Sequence, residues 1–301
     1  MAELWLHGFP VVGNSADLAR KAEAWGYDGL LLADSQCLQG DVYVGLALAV
    51  RATRTLRLGP GVTNPVTRHP TVTASAIATI HAESGGRAIL GLGRGDTAVT
   101  EPGLRPASPE ELRDHVLRLR ALLRGETTDA GRLSWLDPAL APVEIDVAAT
   151  GPRTIAAGAQ AADRVTLCVG AEPERLRPAI AAARAAGPAR VGAYVNVGCA
   201  EDPAVARTLV RGSAGIFAGF SAGHHVEPPD DVLDRFAVVG RPAPSATASP
   251  SSSRSASTTS CSCPARSSPT PTRWSAATSW SPGCSGTCGS GRRWQNAPAK
   301  K

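Results

Sequence analysis

Residues 58–70 have the sequence LGPGVTNPVTRHP, and this stretch decides the fold. It continues a short apolar segment, residues 56–58, which predicts a buried β-strand. Gly59, Pro60 and Gly61 then end that strand abruptly, although a strand of this kind would normally enter its loop without three breakers. The pattern predicts a bulge at which the backbone comes close to a ligand. An ordinary loop between a strand and a helix is the alternative interpretation.

Short apolar segments alternate with amphipathic segments on both sides of this stretch. Each apolar segment has the length of a strand, and the residues after it have the period of a helix. This regular spacing favours a parallel α/β sheet, and seven units in a row favour a closed (β/α)₈ TIM barrel over an open doubly wound sheet. The predicted strands are 3–7, 29–33, 56–58, 88–92, 143–149, 165–169 and 191–197, and the predicted helices are 15–24, 43–52, 71–82, 109–123, 152–161, 172–186 and 203–220.

Charge is distributed unevenly along the chain. The whole chain has 31 basic and 26 acidic residues, but residues 241–301 contain eight of the basic residues and none of the acidic ones. Residues 1–240 are therefore mildly acidic, which does not suggest a nucleic-acid partner. No apolar run is long enough to cross a bilayer, and the first residues lack the features of a signal peptide. We expect a cytoplasmic protein without a membrane partner.

The last 61 residues, 241–301, differ from the barrel domain, residues 1–240. They contain 16 Ser and no Leu, Ile, Val, Phe, Tyr or Met, so they cannot form a core and are expected to be disordered. A natural Ser-rich linker is one interpretation. We favour a frameshift after Gly240, because back-translation with G- or C-ending codons, read one base earlier, gives an amphipathic helix followed by an apolar strand. This segment would supply the last βα unit of an eight-fold barrel.

The seven cysteines do not predict a metal site. Cys37, Cys168 and Cys199 are isolated in or near apolar runs, where a thiol is usually a small buried hydrophobe. The other four lie in residues 261–288, where no apolar frame surrounds them to fix a ligand geometry. We therefore expect no bound metal.

The motifs resemble those of the luciferase-like superfamily. The resemblance is carried by residues 58–70, by Asp-Val-Tyr-Val at 41–44 and by Ser-Gly-Gly-Arg at 84–87, which continues as AILGLGRGD through residue 96. It covers about residues 3–240. Within the superfamily, the chain most resembles the methylenetetrahydromethanopterin reductases and related coenzyme F420-dependent oxidoreductases.

The resemblance implies that the cofactor is coenzyme F420, a deazaflavin, with FMN as the alternative. Members of the family have a bulge after the third strand, in which a non-proline cis peptide backs the ring and leaves one face open for hydride transfer. By motif position, this peptide joins Gly61 to Val62. The loop after the fourth strand brings further backbone against the cofactor. The residues implied at the ring are Gly61, Val62, Thr63, Asn64, Gly93 and Gly95.

A second implied cofactor site lies at the start of the helix that follows the fifth strand. Glycine permits close approach of the backbone there, proline begins the helix, and the free N–H groups can face an anion. Relatives bind the cofactor phosphate in this position, with help from the loop after the sixth strand. A plain Gly-Pro helix start is the alternative. The implied residues are Gly151, Pro152, Arg153, Thr154, Val169, Gly170 and Ala171.

Three residues are candidates for catalysis. Asp34 ends the second predicted strand, and His7 ends the first, so both should reach the carboxyl-terminal mouth of a barrel. Asp96 matches the position of an acid near the substrate in relatives and could protonate substrate if burial raised its pKa. Many relatives have a histidine directly after the acid matching Asp34, but this chain has Ser35. We therefore do not predict a proton relay through a histidine at this position.

The function predicted from the sequence is hydride transfer between coenzyme F420 and a small organic substrate, with the cofactor performing the difficult chemistry. An FMN-dependent monooxygenase on the same scaffold is the first alternative. A non-catalytic flavin-binding relative, or an inactivated gene product, is the second. The expected partner is a small-molecule substrate, and a homodimer is left open.

Overall fold

The structure, a computed structural model, describes residues 2–222 and 229–240. The tail and the frameshift interpretation therefore lie outside the described residues. Strands and helices alternate along the described chain, as the sequence pattern predicted. The strands are β1 (Trp5–Gly8), β2 (Gly29–Leu32), β3 (Arg57–Pro60), β4 (Ile89–Leu92), β5 (Glu144–Ala149), β6 (Arg164–Leu167), β7 (Arg190–Ala193), β8 (Asn196–Cys199) and β9 (Ala237–Gly240). The helices are α1 (Ser15–Ala24), α2 (Val42–Ala52), α3 (Pro70–Glu83), α4 (Thr97–Thr100), α5 (Pro109–Leu123), α6 (Pro152–Ala161), α7 (Pro173–Ala186), α8 (Pro203–Ala222) and α9 (Asp230–Phe236).

All the strand pairings are parallel, and they follow chain order around a TIM barrel. β1, β2 and β3 pair in sequence, as do β4 to β7. Two isolated parallel bridges, Leu58 to Ala88 and Thr63 to Leu92, join the β3 segment to the β4 segment. Because the strands run in one direction, their carboxyl ends gather at one mouth, where a barrel places its functional residues.

The seventh strand was predicted as one segment, residues 191–197, but it is divided into β7 and β8. The Tyr194 amide donates to the Leu167 carbonyl, which is the last bond toward β6. From Asn196 onward, the chain pairs instead with β9, a short strand that the sequence pattern did not predict. The break arises because the two halves have different neighbours.

Apolar strand residues and the helices around them form the core. Leu30, Leu32, Leu58, Leu90 and Leu92 are fully buried. Burying a leucine side chain contributes about 1.5–3 kcal/mol, so these strands form a major source of stability. None of the helices in the described part is long and apolar enough to cross a membrane.

Ion pairs occupy the end of the barrel opposite the mouth. The guanidinium of Arg164 donates to Asp146 at 3.0 Å and lies 4.6 Å from the ring centre of Trp5. Asp146 and Arg164 are buried, and Asp146 also accepts a hydrogen bond from Thr166. These contacts fill the amino-terminal end, so a cofactor would approach from the other end.

Glu23, on α1, fixes the turn that leads into β3. One carboxylate oxygen accepts hydrogen bonds from the backbone amides of Arg54, Thr55 and Leu56, and from the Thr55 hydroxyl. Partial burial opposes ionisation, but these hydrogen bonds prevail and lower the pKa of Glu23 to about 2. Glu23 therefore connects an early helix to the strand before the bulge.

We expect Glu23→Gln to lower the free energy of unfolding by on the order of 2 kcal/mol, because a neutral amide accepts these bonds less strongly than a carboxylate does. The lowered pKa sets the pH dependence. The contribution is complete above the unfolded-state pKa of about 4.5 and is lost as the pH falls toward 2. Urea unfolding at pH 7 and pH 3 measures both effects. An equal difference between wild type and variant at the two pH values would contradict this assignment.

Candidate active site

The predicted site residues lie at the carboxyl ends of their strands. His7 lies in β1, Asp34 follows β2, and the bulge begins at Gly61 after β3. Asp96 follows β4, and Gly151 follows β5. The structure therefore arranges five separate segments around one barrel mouth. The sequence had placed His7 at the end of its strand, whereas β1 continues one residue further, to Gly8.

A cis peptide bond joins Gly61 to Val62, at the position that the resemblance implied. The Gly61 carbonyl accepts a hydrogen bond from Nε2 of His7 at 2.5 Å. A side chain at Gly61 would meet the Leu31 Cβ at 2.6 Å, so only glycine fits against β2 there. His7 and Gly61 thus fix the start of the bulge.

His7 is surrounded by aromatic rings. Its ring lies edge-on to Tyr194, with the centroids 5.3 Å apart, and edge-on to Phe9 at 5.9 Å. Burial lowers the pKa of His7, and its hydrogen bond to the Gly61 carbonyl opposes that shift only in part. At neutral pH the imidazole is uncharged and uses its Nε2 proton to bind the backbone. His7 therefore holds the bulge in this structure, and its catalytic role stays a prediction.

Glycines in β4 and its loop leave room for the Val62 side chain. A Cβ at Gly93 would lie 2.8 Å from a methyl group of Val62, and one at Gly91 would lie 2.2 Å from the Pro60 carbonyl oxygen. Gly95 has a positive φ of 96°, a conformation that favours glycine. The GLGRG sequence, residues 91–95, at the end of β4 and in the loop after it, therefore lets two backbone segments pack directly against each other.

Asn64 is 1% exposed, and only one of the two polar atoms of its side-chain amide forms hydrogen bonds in the described part of the chain. Its Oδ1 accepts from the amides of Val66 and Thr67 and from the Thr67 hydroxyl. Its Nδ2 has no hydrogen-bond partner within the described part of the chain. A buried donor without a partner is costly, so this atom fits an acceptor supplied by a bound ring.

Asp34 is almost completely buried beside the bulge. Its Oδ2 accepts a hydrogen bond from the Thr63 hydroxyl at 2.7 Å, and Nε of Arg68 lies 3.8 Å from the same oxygen. Burial raises the pKa of Asp34, while Thr63 and Arg68 oppose that shift only in part. A carboxyl group in this setting can hold a proton at a higher pH than a carboxyl group in water.

Two side-chain contacts join the loop after β2 to α4, a short helix that the sequence did not predict. The hydroxyl groups of Ser35 and Thr97 are 2.8 Å apart, and the Gln36 amide donates to the Ala98 carbonyl at 2.6 Å. Ser35, which stands where many relatives have a histidine, therefore bonds to α4. Asp96 directly precedes Thr97, so this contact brings the loops of Asp34 and Asp96 together. Although Asp96 reaches solvent, the surrounding protein partly desolvates it and raises its pKa.

The start of α6 is open, as an anion site requires. A Cβ at Gly151 would meet no atom within 4 Å. Pro152 is the first residue of the helix, and Thr154 is buried in its first turn. Arg153, however, does not join the predicted cluster. Its guanidinium forms an ion pair with Glu110 of α5 at 2.6 Å, because the start of α5 presents an acid to it.

The loop after β6 is also less available to a cofactor phosphate than the sequence suggested. The Ala171 amide donates to the Arg235 carbonyl at 2.9 Å, so it is already bonded in this structure. A side chain at Gly170, whose φ is 102°, would meet the same carbonyl at 2.5 Å. Val169 is buried. The end of α9 therefore covers the loop, and no feature of the sequence had indicated that contact.

Three residues that surround Asp34 were assigned no role from the sequence: Asp41, Tyr43 and Arg68. Arg68 donates to Asp41 at 2.7 Å, and its guanidinium lies 5.0 Å from the ring centre of Tyr43. All three lie in motifs that carried the resemblance, Asp-Val-Tyr-Val and Thr-Arg-His-Pro. The signal was therefore present, but the pairing of two distant motifs requires the fold.

These features define a class of protein. A parallel TIM barrel carries a cis-peptide bulge after β3, a buried carboxyl group beside it and an open helix start after β5. Residues 5–248 match the family described as luciferase-like monooxygenase. The chain belongs to the luciferase-like family.

One relative in the family matches most of the chain. The 5,10-methylenetetrahydromethanopterin reductase of Methanolobus tindarius is 31% identical over 239 residues, which cover 74% of this chain and 71% of the relative. The homologues include coenzyme F420-dependent reductases and flavin monooxygenases, so the chain is related to oxidoreductases.

Solved structures show the same fold. The coenzyme F420-dependent tetrahydromethanopterin reductase of Methanopyrus kandleri superposes with a TM-score of 0.67 at 21% identity, covering 80% of this chain and 87% of that one. The monooxygenase RslO1 of Streptomyces bottropensis superposes with a TM-score of 0.63 at 25% identity, covering 80% and 85%. One of these two relatives is a coenzyme F420-dependent reductase and the other is a monooxygenase.

Proposed function

We propose that this protein is an oxidoreductase that transfers a hydride between coenzyme F420 and a small organic substrate. The similarity over 239 residues to a methylenetetrahydromethanopterin reductase carries the proposal, because it extends over 74% of this chain and 71% of that relative. The bulge at Gly61 and Val62 and the buried amide of Asn64 support it.

The residues present fit a flat ring bound at the bulge. When bound, the deazaflavin supplies a carbon centre that donates or accepts a hydride. The bulge from Gly61 to Asn64 would support one side of the ring, and Nδ2 of Asn64 would donate to a ring acceptor. Gly93 and Gly95 hold the neighbouring backbone, and the open start of α6 at Gly151 would receive the phosphate.

Two carboxyl groups are available for the proton that accompanies hydride transfer. Burial raises the pKa of Asp34, and partial desolvation raises that of Asp96. The substrate carbonyl or imine would lie between the cofactor and these loops and would receive the proton from one of them. His7 holds the bulge through the Gly61 carbonyl and is assigned a positioning role.

An FMN-dependent monooxygenase is the second candidate. The structural similarity to RslO1, at 25% identity over 80% of this chain, favours it. Oxygen activation requires a true flavin, since a deazaflavin carries hydride but does not readily form a peroxide. A non-catalytic flavin-binding protein is the third candidate.

Purification from a host that makes both cofactors tests the proposal. We expect the absorbance of the released chromophore to be that of coenzyme F420. We also expect the protein to take up no oxygen once its bound cofactor has been reduced. Recovery of FMN together with oxygen uptake on reduction would support the monooxygenase instead. Recovery of neither cofactor, with no binding on their addition, would favour the non-catalytic candidate.

A further inference from the structure

The side chains around Asp34 form an ordered series. Oδ1 of Asp41 caps α2 by accepting from the amides of Tyr43 and Val44, at 2.9 and 3.1 Å. Its other oxygen, Oδ2, accepts from Nη2 of Arg68 at 2.7 Å. Asp41 thus uses one oxygen for the helix and the other for the arginine.

Arg68 lies between two carboxyl groups but bonds to only one of them. Its Nη2 forms the short contact to Asp41, whereas its Nε remains 3.8 Å from Oδ2 of Asp34, beyond hydrogen-bonding distance. The Tyr43 ring, 5.0 Å from the guanidinium carbon, covers one face of it. Arg68 is therefore fixed on the side of Asp41, next to Asp34 but not bonded to it.

We propose that Asp41 is a positioning residue that tethers Arg68 away from Asp34 and thereby decides whether Asp34 is protonated. Asp34 is the proton-bearing group only if the proposed function holds, and the tether itself rests on the contacts described above. No hydrogen bond in the described part of the chain joins Asp41 to Asp34, so the tether itself acts through Arg68, in addition to the direct charge effect of Asp41.

Charge and burial give the tether its effect. An opposite charge within about 4–6 Å favours the ionised form of a carboxyl group, and a direct bond to a guanidinium favours it further. The charged or titratable groups facing Asp34 are Arg68, Asp41 and the hydroxyl of Tyr43, with the Thr63 hydroxyl as a hydrogen-bond donor. Released from Asp41, the arginine could bond to Asp34 and favour its ionised form, so that Asp34 would give up its proton to solvent. Held at 3.8 Å, it only partly offsets the effect of burial, and the pKa of Asp34 remains raised.

The test is a titration of the Asp34 carboxyl carbon by NMR in the full chain without cofactor, with the signal assigned through Asp34→Asn. Asp41→Asn keeps an oxygen for the α2 cap, because asparagine caps helices about as well as aspartate. We expect it to lower the midpoint by about one pH unit or more, and Arg68→Gln to raise the midpoint by a similar amount. Asp17→Asn, which removes an exposed acid paired with Arg20, is the matched control and should leave the midpoint unchanged.

A double variant separates the tether from the simple charge of Asp41. If Asp41 acts through Arg68, most of the Asp41→Asn shift disappears when Arg68 is already glutamine. An undiminished shift in that background, or an Asp34 midpoint that moves in the same direction in both single variants, would overturn the proposal. A parallel fluorescence titration with coenzyme F420 tests the proposed function separately. Absent binding would remove the role of Asp34 in catalysis without altering the titration.

Discussion

Replacing Gly151 with Asp is expected to abolish the binding of coenzyme F420 while the protein remains folded. Gly151 has φ −91° and ψ 156°, which any residue adopts, and a Cβ there meets no atom within 4 Å. The fold should therefore tolerate the substitution. The new carboxylate would lie where the phosphate meets the start of α6, and two like charges about 4 Å apart repel by about 4 kcal/mol near a protein surface.

This repulsion corresponds to about a thousand-fold weaker binding. Gly151→Ala is the matched control, since it adds a side chain without charge and should weaken binding much less. Circular dichroism spectra that match the wild type establish that both variants are folded, and fluorescence titration measures the affinity. If the folded Asp variant bound the cofactor as tightly as the wild type, the phosphate would have to lie elsewhere in the barrel mouth.

Restoring the upstream reading frame after Gly240 is expected to convert a poorly soluble chain into one that unfolds cooperatively. Among the described strands, β1 pairs only with β2, and β9 pairs only with β8. A closed barrel needs a last strand that pairs with β1, and unpaired edges promote aggregation. Residues 241–301 contain no Leu, Ile or Val for such a strand. The back-translated upstream frame, in contrast, predicts an amphipathic helix followed by an apolar strand.

A chain that ends at Gly240 is the matched control, because it separates the missing βα unit from any harm done by the tail. We expect it to behave like the chain as written, with a broad thermal transition and aggregation. The frame-restored protein should melt in one sharp transition. A cooperative melt of the chain as written, with residues 241–301 protected from protease, would show that the tail is a structural element and that the frameshift interpretation is wrong.

Local patterns were read correctly where short-range chemistry decides the structure. The helix predicted at residues 109–123 begins at Pro109, after the capping box that Ser108 and Glu111 form. The cis bond between Gly61 and Val62 lies where the resemblance placed it. The capping box depends on residues that are neighbours in the chain, whereas the bulge is also held by His7, which is distant in the sequence.

Contacts between distant segments could not be predicted. The pairing of Arg153 with Glu110 and the bond from Ala171 to the Arg235 carbonyl join segments that are separated by dozens of residues. Each contact changed the predicted phosphate site, because it occupied a group that the sequence had left free. The division of the seventh strand had the same cause, since Asn196 pairs with Ala237 of β9, about 40 residues further along the chain.

The affinity of the purified protein for coenzyme F420, compared with its affinity for FMN, tests the central claim most directly. Fluorescence quenching follows both titrations under the same conditions. The account predicts that the deazaflavin binds more tightly, because the segment from Gly61 to Pro70 resembles that of the reductases. Micromolar binding of FMN with no binding of coenzyme F420 would contradict it.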